Sequence, residues 1–202
     1  MSFNKINFYD ALQLHFKLGS DPSLIFHCSH VMNIALQILE QLPDEVKCDR
    51  DLVLIGAFLH DIGRTSTQGI KHGIAGSKII KNEFIENDFT LNLANIASRH
   101  IGGGIPKDET KELGLPFEDF LPISLEEKIV CYADKLADYD FEKIRGNYSI
   151  TNWYTYDSIE NEVSKLSEKL GNHPAIKRLY DIEKYLIKLN NNKRFVFQEI
   201  TE

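Results

Sequence analysis

A chain of 202 residues, 43% apolar and 26% charged, has the composition of a soluble globular protein with enough material for one sizeable core. Its net charge of -7 argues against an extended nucleic-acid surface, although a local metal or arginine can still receive a small anion. The three cysteines lack CxxC spacing, there is no signal-peptide block, and no apolar run is long enough for a bilayer, so the expectation is a cytoplasmic protein with reduced thiols and no membrane contact.

Phe8, Ala11, Leu12, His15 and Phe16 space out as a short amphipathic helix over residues 8–18. Gly19-Ser20-Asp21-Pro22 breaks it, with Asp21 as N-cap and Pro22 at the first position of the next helix. That helix runs to Leu42, where Pro43 ends it. Its inward stripe is His27, Val31, Ile34 and Ile38, whereas His30 falls in register with Asn33, Gln37 and Gln41 and is predicted on the wet face. A lone inward histidine is more often a hydrogen-bonded core residue than a ligand, so His27 decides nothing by itself.

After a charged loop, Leu52 to Leu59 run almost without polar relief, as in a segment buried on all sides and too short to span a membrane. The run ends on His60-Asp61. Burying an imidazole beside a carboxylate is costly unless both are paired or hold a metal. The bland alternative is a helix fraying into polar residues, with His60 capping a carbonyl. Gly63 then offers a left-handed helix stop, and Arg64 adds a fixed positive charge. A further helix opens at His72 and carries Ile79, Ile80 and Phe84 inward. His72 is either its cap or a ligand, and Gly76, one turn on, lets another backbone approach closely.

Residues 90–100 form the next helix, capped by Asp88 or Thr90, with Leu93, Ile96, Ala97 and His100 on one face. The loop from Ile101 to Pro122 is long enough to be functional or disordered. Its glycines follow a helix and so do not form a phosphate-cradling loop. Ser124 and Glu127 make a capping box for a helix that places Asp134 with Ala133 and Ala137 on the buried face. There Asp134 needs a partner, either a metal or an ion pair with Lys135 or Arg145. The pattern lapses from Gly146 to Asn152. Tyr156, Ile159, Val163, Leu166 and Leu170 then mark one helix, stopped by Gly171, and Pro174 to Leu189 another. Joined by Gly-Asn-His-Pro they form a hairpin that either covers the core or makes a homodimer contact. Phe195-Val196-Phe197 reads as a last helical turn or a stray strand.

His27, His60, Asp61, His100 and Asp134 are thus inward polar residues on helices, with His72 at a helix start. Histidines with two carboxylates form a donor set for iron, manganese, cobalt, nickel or zinc, and offer too few oxygens for calcium. A structural zinc would favour cysteines, which do not cluster with these residues.

The order of these residues resembles the HD-domain metal-dependent phosphohydrolase superfamily. His27 stands in His-Cys-Ser-His-Val, His60-Asp61 in Leu-His-Asp-Ile-Gly-Arg, and Asp134 in Tyr-Ala-Asp-Lys-Leu. His72 in His-Gly-Ile-Ala-Gly and His100 in Ser-Arg-His are similar to the subset that binds two metals. The subgroup that cleaves cyclic dinucleotides has a His-His pair followed by Gly-x-Gly-Tyr-Pro. Here Arg99-His100-Ile-Gly-Gly-Gly-Ile-Pro has one histidine and no tyrosine. The HD-type dinucleoside-polyphosphate hydrolases look closer, with a similar Leu-Glu-Glu-Lys-Ile and Ala-Asp-Lys ending.

The resemblance spans residues 23–138 and implies an all-α HD-domain helical bundle around a central metal site, taken as a domain over 1–145. The tail, 146–202, lies outside it and is read from its own periodicity as a C-terminal helical hairpin packed on that domain. His27, His60, Asp61 and Asp134 would hold one divalent transition metal. Asp61 would bridge to a second at His72 and His100, with iron or manganese favoured and nickel, cobalt or zinc acceptable. Asp61 and Arg64 are the candidate catalytic residues, and Arg64, Arg99 and Lys135 the candidate substrate contacts. The implied reaction is hydrolysis of a small phosphoester or phosphoanhydride, a nucleotide above all. The alternatives are a nucleotide-sensing module without catalysis and a di-iron oxygenase.

Overall fold

The structure is a computed structural model that describes residues 6–138, 155–156, 158–161, 163–164 and 174–198. Helix starts follow from short polar side chains that satisfy otherwise orphaned backbone N–H groups, each contributing about 1 kcal/mol. Asn7 and Asp10 form a reciprocal capping box for α1 (Phe8–Lys17), and Asp21 receives the Ser23 N–H at the start of α2 (Pro22–Gln41). Asp49 caps α3 (Arg50–Leu59) through the Leu52 N–H. After two short 3-10 turns, Ile62–Thr65 and Gly69–Lys71, come α4 (His72–Glu83) and α5 (Asp88–Arg99), the latter capped by Asn87 and not by Asp88 or Thr90. The Ser124–Glu127 capping box opens α7 (Leu125–Leu136), beyond the single helical turn α6 (Lys107–Thr110).

The architecture is all-α around α3, which packs against α1, α2, α5 and α7. The apolar run of α3 explains this position: Leu52, Val53, Ile55, Ala57, Phe58 and Leu59 are all buried. A two-residue antiparallel ladder joins β1 (Ala137–Asp138) to β2 (Thr155–Tyr156). The helix α8 (Pro174–Leu189) packs on α7 and on the turn after α5, burying Ala175, Leu179, Ile182 and Leu186.

Several expectations are corrected. Gly63 is not a left-handed stop, since its φ is not among the positive values. It sits in the 3-10 turn because α4 crosses there: an added Cβ would lie 1.9 Å from the His72 carbonyl oxygen and 2.5 Å from the Gly76 nitrogen. Gly76 is the other half of that contact, as its position one turn after His72 suggested. His30 is buried at 7% exposure, because α2 is covered by α3, α7 and β1 and so has no single wet face. On α1 the buried residues are Ala11, Leu14 and His15, while Phe16 stands 61% exposed.

The 101–122 loop is ordered by the 3-10 turn Ile101–Gly103, by α6 and by an Ile105–Phe120 bridge. Tyr156 lies in β2 and not at a helix start. Phe195 to Phe197 are neither helix nor strand; the side-chain amides of Gln41 and Gln37 bond the backbone of Val196 and Gln198. The 145/146 boundary, Arg145 and the hairpin turn lie outside the described residues.

Candidate metal centre

Three histidines share one local device. Each closes or opens a helical segment and donates its Nδ1–H to the backbone carbonyl three residues earlier: His60 to Ala57 (2.7 Å), His72 to Gly69 (2.5 Å) and His100 to Ala97 (2.9 Å). A carbonyl can only accept, so the first proton belongs to Nδ1, and in its neutral form each ring turns a lone pair at Nε2 toward the interior. Those lone pairs face one another and two carboxylates.

Asp61, 2% exposed, lies between α3 and the 3-10 turn and divides its oxygens between two groups. Oδ1 is 2.8 Å from His72 Nε2 and 3.4 Å from His100 Nε2, which are 3.0 Å apart. Oδ2 is 3.6 Å from His27 Nε2 and 3.7 Å from His60 Nε2. Asp134, from α7, turns Oδ1 to the same pair, 3.2 Å from His27 and 3.4 Å from His60. Each carboxylate also meets a cation: Arg64 Nε is 2.5 Å from Asp61 Oδ2, the same oxygen that faces His27 and His60, and Lys135 Nζ is 2.5 Å from Asp134 Oδ2, the oxygen not turned to the histidines.

Two sets of side chains could hold a metal ion, His27–His60–Asp134 and His60–Asp61–His100, with His72 beside the second. Donors at about 2.1 Å from an ion stand roughly 3.0 Å apart at right angles and roughly 3.4 Å apart in a tetrahedron, close to the spacings here. Two imidazole lone pairs 3.0 Å apart repel unless a cation or a proton lies between them. His60 Nε2 and Asp61 Oδ1 are buried and make no hydrogen bond of acceptable direction, although His72 Nε2 comes within 2.8 Å of that oxygen. Buried polar atoms without partners are uncommon, and an ion or a water is one way to satisfy them.

Electrostatics follow from the crowding. Burial alone would push the Asp61 and Asp134 carboxyls up. The imidazoles of His60, His100 and His72 around Asp61, and Lys135, His27 and His60 around Asp134, reverse this and hold both well below the carboxylate range. Burial would lower His60, but Asp61 and Asp134 raise it well above the ordinary histidine value. At His100 burial prevails and lowers it to about 4.

The structure therefore gathers His27, His60, Asp61, His72, His100 and Asp134, with Arg64 and Lys135 at the rim of the cluster. Arg99 is elsewhere: its Nη1 donates to Glu127 Oε1 (2.8 Å), and Glu127 also accepts the Ile123 and Ser124 N–H groups. Sequence reasoning missed two supports. His15 on α1 is fully buried and donates Nε2–H to the Phe58 carbonyl (2.9 Å) while its Nδ1 accepts from Ser20 Oγ (2.8 Å). Its place one turn after Ala11, on the stripe that the spacing already marked, was the available signal. Cys131 Sγ donates to the His100 carbonyl (3.2 Å), which nothing in the sequence announced.

The HD domain family model matches residues 24–138, and the chain belongs to this family. An uncharacterized protein of Methanocaldococcus jannaschii is 40% identical over 176 residues, covering 86% of this chain and 93% of that one. A tRNA (cytidine(56)-2'-O)-methyltransferase of Picrophilus torridus is 42% identical over 122 residues, 60% of this chain but 33% of that protein. The HD domain of the L. monocytogenes phosphodiesterase PgpH aligns with a TM-score of 0.44 at 19% identity, over 90% of this chain and 97% of that one. Among the described residues no helix is long and apolar enough to cross a membrane.

Proposed function

We propose that this chain is a dinuclear metal-dependent phosphohydrolase that acts on a small phosphoester or phosphoanhydride, most favourably a nucleotide. The observation that carries this reading is the division of Asp61: one oxygen faces His27 and His60, the pair that Asp134 also faces, and the other faces His72 and His100. Iron or manganese is favoured for this donor set, with cobalt, nickel and zinc acceptable. Metal ions held there would make bound water acidic enough to attack at neutral pH and would offset phosphate charge.

The chain's own residues supply the rest. Hydrogen bonds from Nδ1 to Ala57, Gly69 and Ala97 hold three imidazoles with Nε2 turned to the site before any ion arrives. Arg64, whose side chain is 36% exposed, spends its Nε on Asp61. Its terminal nitrogens are the donors proposed to hold a phosphate oxygen. Lys135 holds Asp134 in place and adds positive charge beside the site. Arg99 is better explained as fixing the start of α7.

The test is turnover of the manganese- or iron-loaded protein on nucleotides, dinucleoside polyphosphates and a tRNA-derived oligonucleotide. The last is included because a relative is named for tRNA. Phosphate release is expected from a nucleotide or dinucleotide, falling about 100-fold or more in Arg64→Ala with metal content unchanged. Nucleotide binding without release would favour the sensing module. Oxygen consumption without phosphate release would favour the oxygenase.

A further inference from the structure

The turn that follows His100 is a weak place to anchor a ligand. Gly102, Gly103 and Gly104 all have positive φ, at 59°, 78° and 93°. Three consecutive glycines in this region have wide freedom unless packing removes it. Metal donors, by contrast, must be held to a few tenths of an ångström. The His100 ring is fixed by Ala97 and its carbonyl by Cys131, which leaves the exit of the chain to be explained.

The cover comes from α8. A Cβ on Gly103 would meet Leu179 Cγ, Cδ2 and backbone nitrogen, each at 3.2 Å, so the helix lies directly against the turn. The adjacent Arg178 makes a two-pronged ion pair with Glu109 of α6, Nη1 to Oε1 at 2.8 Å and Nη2 to Oε2 at 2.9 Å. Both partners are mostly buried, at 19% and 22% side-chain exposure. The planar, bidentate geometry sets direction as well as distance. Leu179 and Arg178 thus hold both ends of the segment from Ile101 to Thr110. Residues 174–189 lie beyond the stretch 24–138 that the family model matches.

We infer that Arg178 and Leu179 of α8 are positioning residues for His100 and thereby set metal affinity at the His72–His100–Asp61 group. This rests on the dinuclear reading proposed above. His27, His60 and Asp134 project from α2, the end of α3 and α7; α8 also packs on α7, but Arg178 and Leu179 bear on the turn after His100 and on α6, so the other group is expected to change less.

The experiment is calorimetric titration of the metal-free full chain with manganese, with equivalents counted by elemental analysis, in wild type, Arg178→Met, Arg178→Lys, Glu109→Gln and the exchange Arg178→Glu with Glu109→Arg. In Arg178→Met the second equivalent is expected to weaken by about tenfold or more, with the first essentially unchanged. Arg178→Lys restores part of the loss and the exchanged pair more of it. Glu109→Gln keeps the shape of the site and gives the same answer if Arg178→Met fails to fold. Equal weakening of both equivalents, or no change in either, overturns the inference while the dinuclear reading stands. A wild type that takes up one equivalent in excess manganese overturns both.

Discussion

At the scale of single residues, the site depends on which nitrogen of each imidazole carries the proton. Nδ1 donation from His60, His72 and His100 leaves three Nε2 atoms turned inward, and removing any one ring removes one donor from a defined group. The expected metal content follows. Wild type retains two equivalents, His72→Ala and His100→Ala keep about one, and His60→Ala or His27→Ala disrupts the group shared with Asp134. His30→Ala keeps its metal but loses about 1–2 kcal/mol of stability, because this histidine is buried. Full occupancy in His60→Ala by elemental analysis would remove the site assignment.

His15 gives a pH prediction. Burial lowers its pKa below the ordinary value of 6.5, with the Phe58 carbonyl opposing. Above pH 6.5 both folded and unfolded states hold it neutral and its contribution is fully present. Below 6.5 the unfolded chain takes up a proton that the folded one resists, so stability falls with pH by at most about 1.4 kcal/mol per unit. His15→Gln is expected to flatten that part of the urea-derived stability curve relative to wild type. An unchanged slope between pH 6.5 and 5 would show that His15 is not the group responsible.

At the scale of elements, the legible parts were those governed by local rules. Asp21 with Pro22, and Ser124 with Glu127, fixed two helix starts from sequence, and the apolar stripe of α5 placed His100 inward. Periodicity failed where a helix is buried on more than one side, as at His30 on α2. It also failed where a glycine serves a tertiary contact, since nothing local distinguishes the crossing at Gly63 from a left-handed stop. Gly63→Ala would place a methyl group against the His72 carbonyl and the Gly76 nitrogen, both backbone atoms that cannot rotate away. A loss of about 3 kcal/mol or more is expected in urea unfolding, together with loss of the second metal equivalent as α4 moves His72. A stable variant with both equivalents would mean that the crossing has slack.

At the scale of the whole molecule, the donors are dispersed so that metal binding ties together most of the fold. His27 comes from α2, His60 and Asp61 from the end of α3, His72 from α4, His100 from the end of α5 and Asp134 from α7. An unfolded chain cannot assemble this set, so a metal held there would favour the folded state and stabilise it by mass action. At a free concentration of 100 times Kd, one site contributes about 2.7 kcal/mol, which in a chain of this size corresponds to roughly 5–10 °C in Tm.

The shift has a pH dependence of known sign, because protons compete for the same lone pairs. Burial disfavours the charged form of His60, yet Asp61 and Asp134 outweigh that and raise its proton affinity, so in the metal-free protein it holds a proton above pH 6.5. Metal must displace that proton, and binding therefore weakens as pH falls. The expected result is a Tm at pH 7.5 higher by at least about 5 °C with manganese than with chelator, and a gap that narrows toward pH 5.5. A Tm indifferent to metal at pH 7.5 would mean that the donors do not close around an ion in solution, and the dinuclear reading would fall with it.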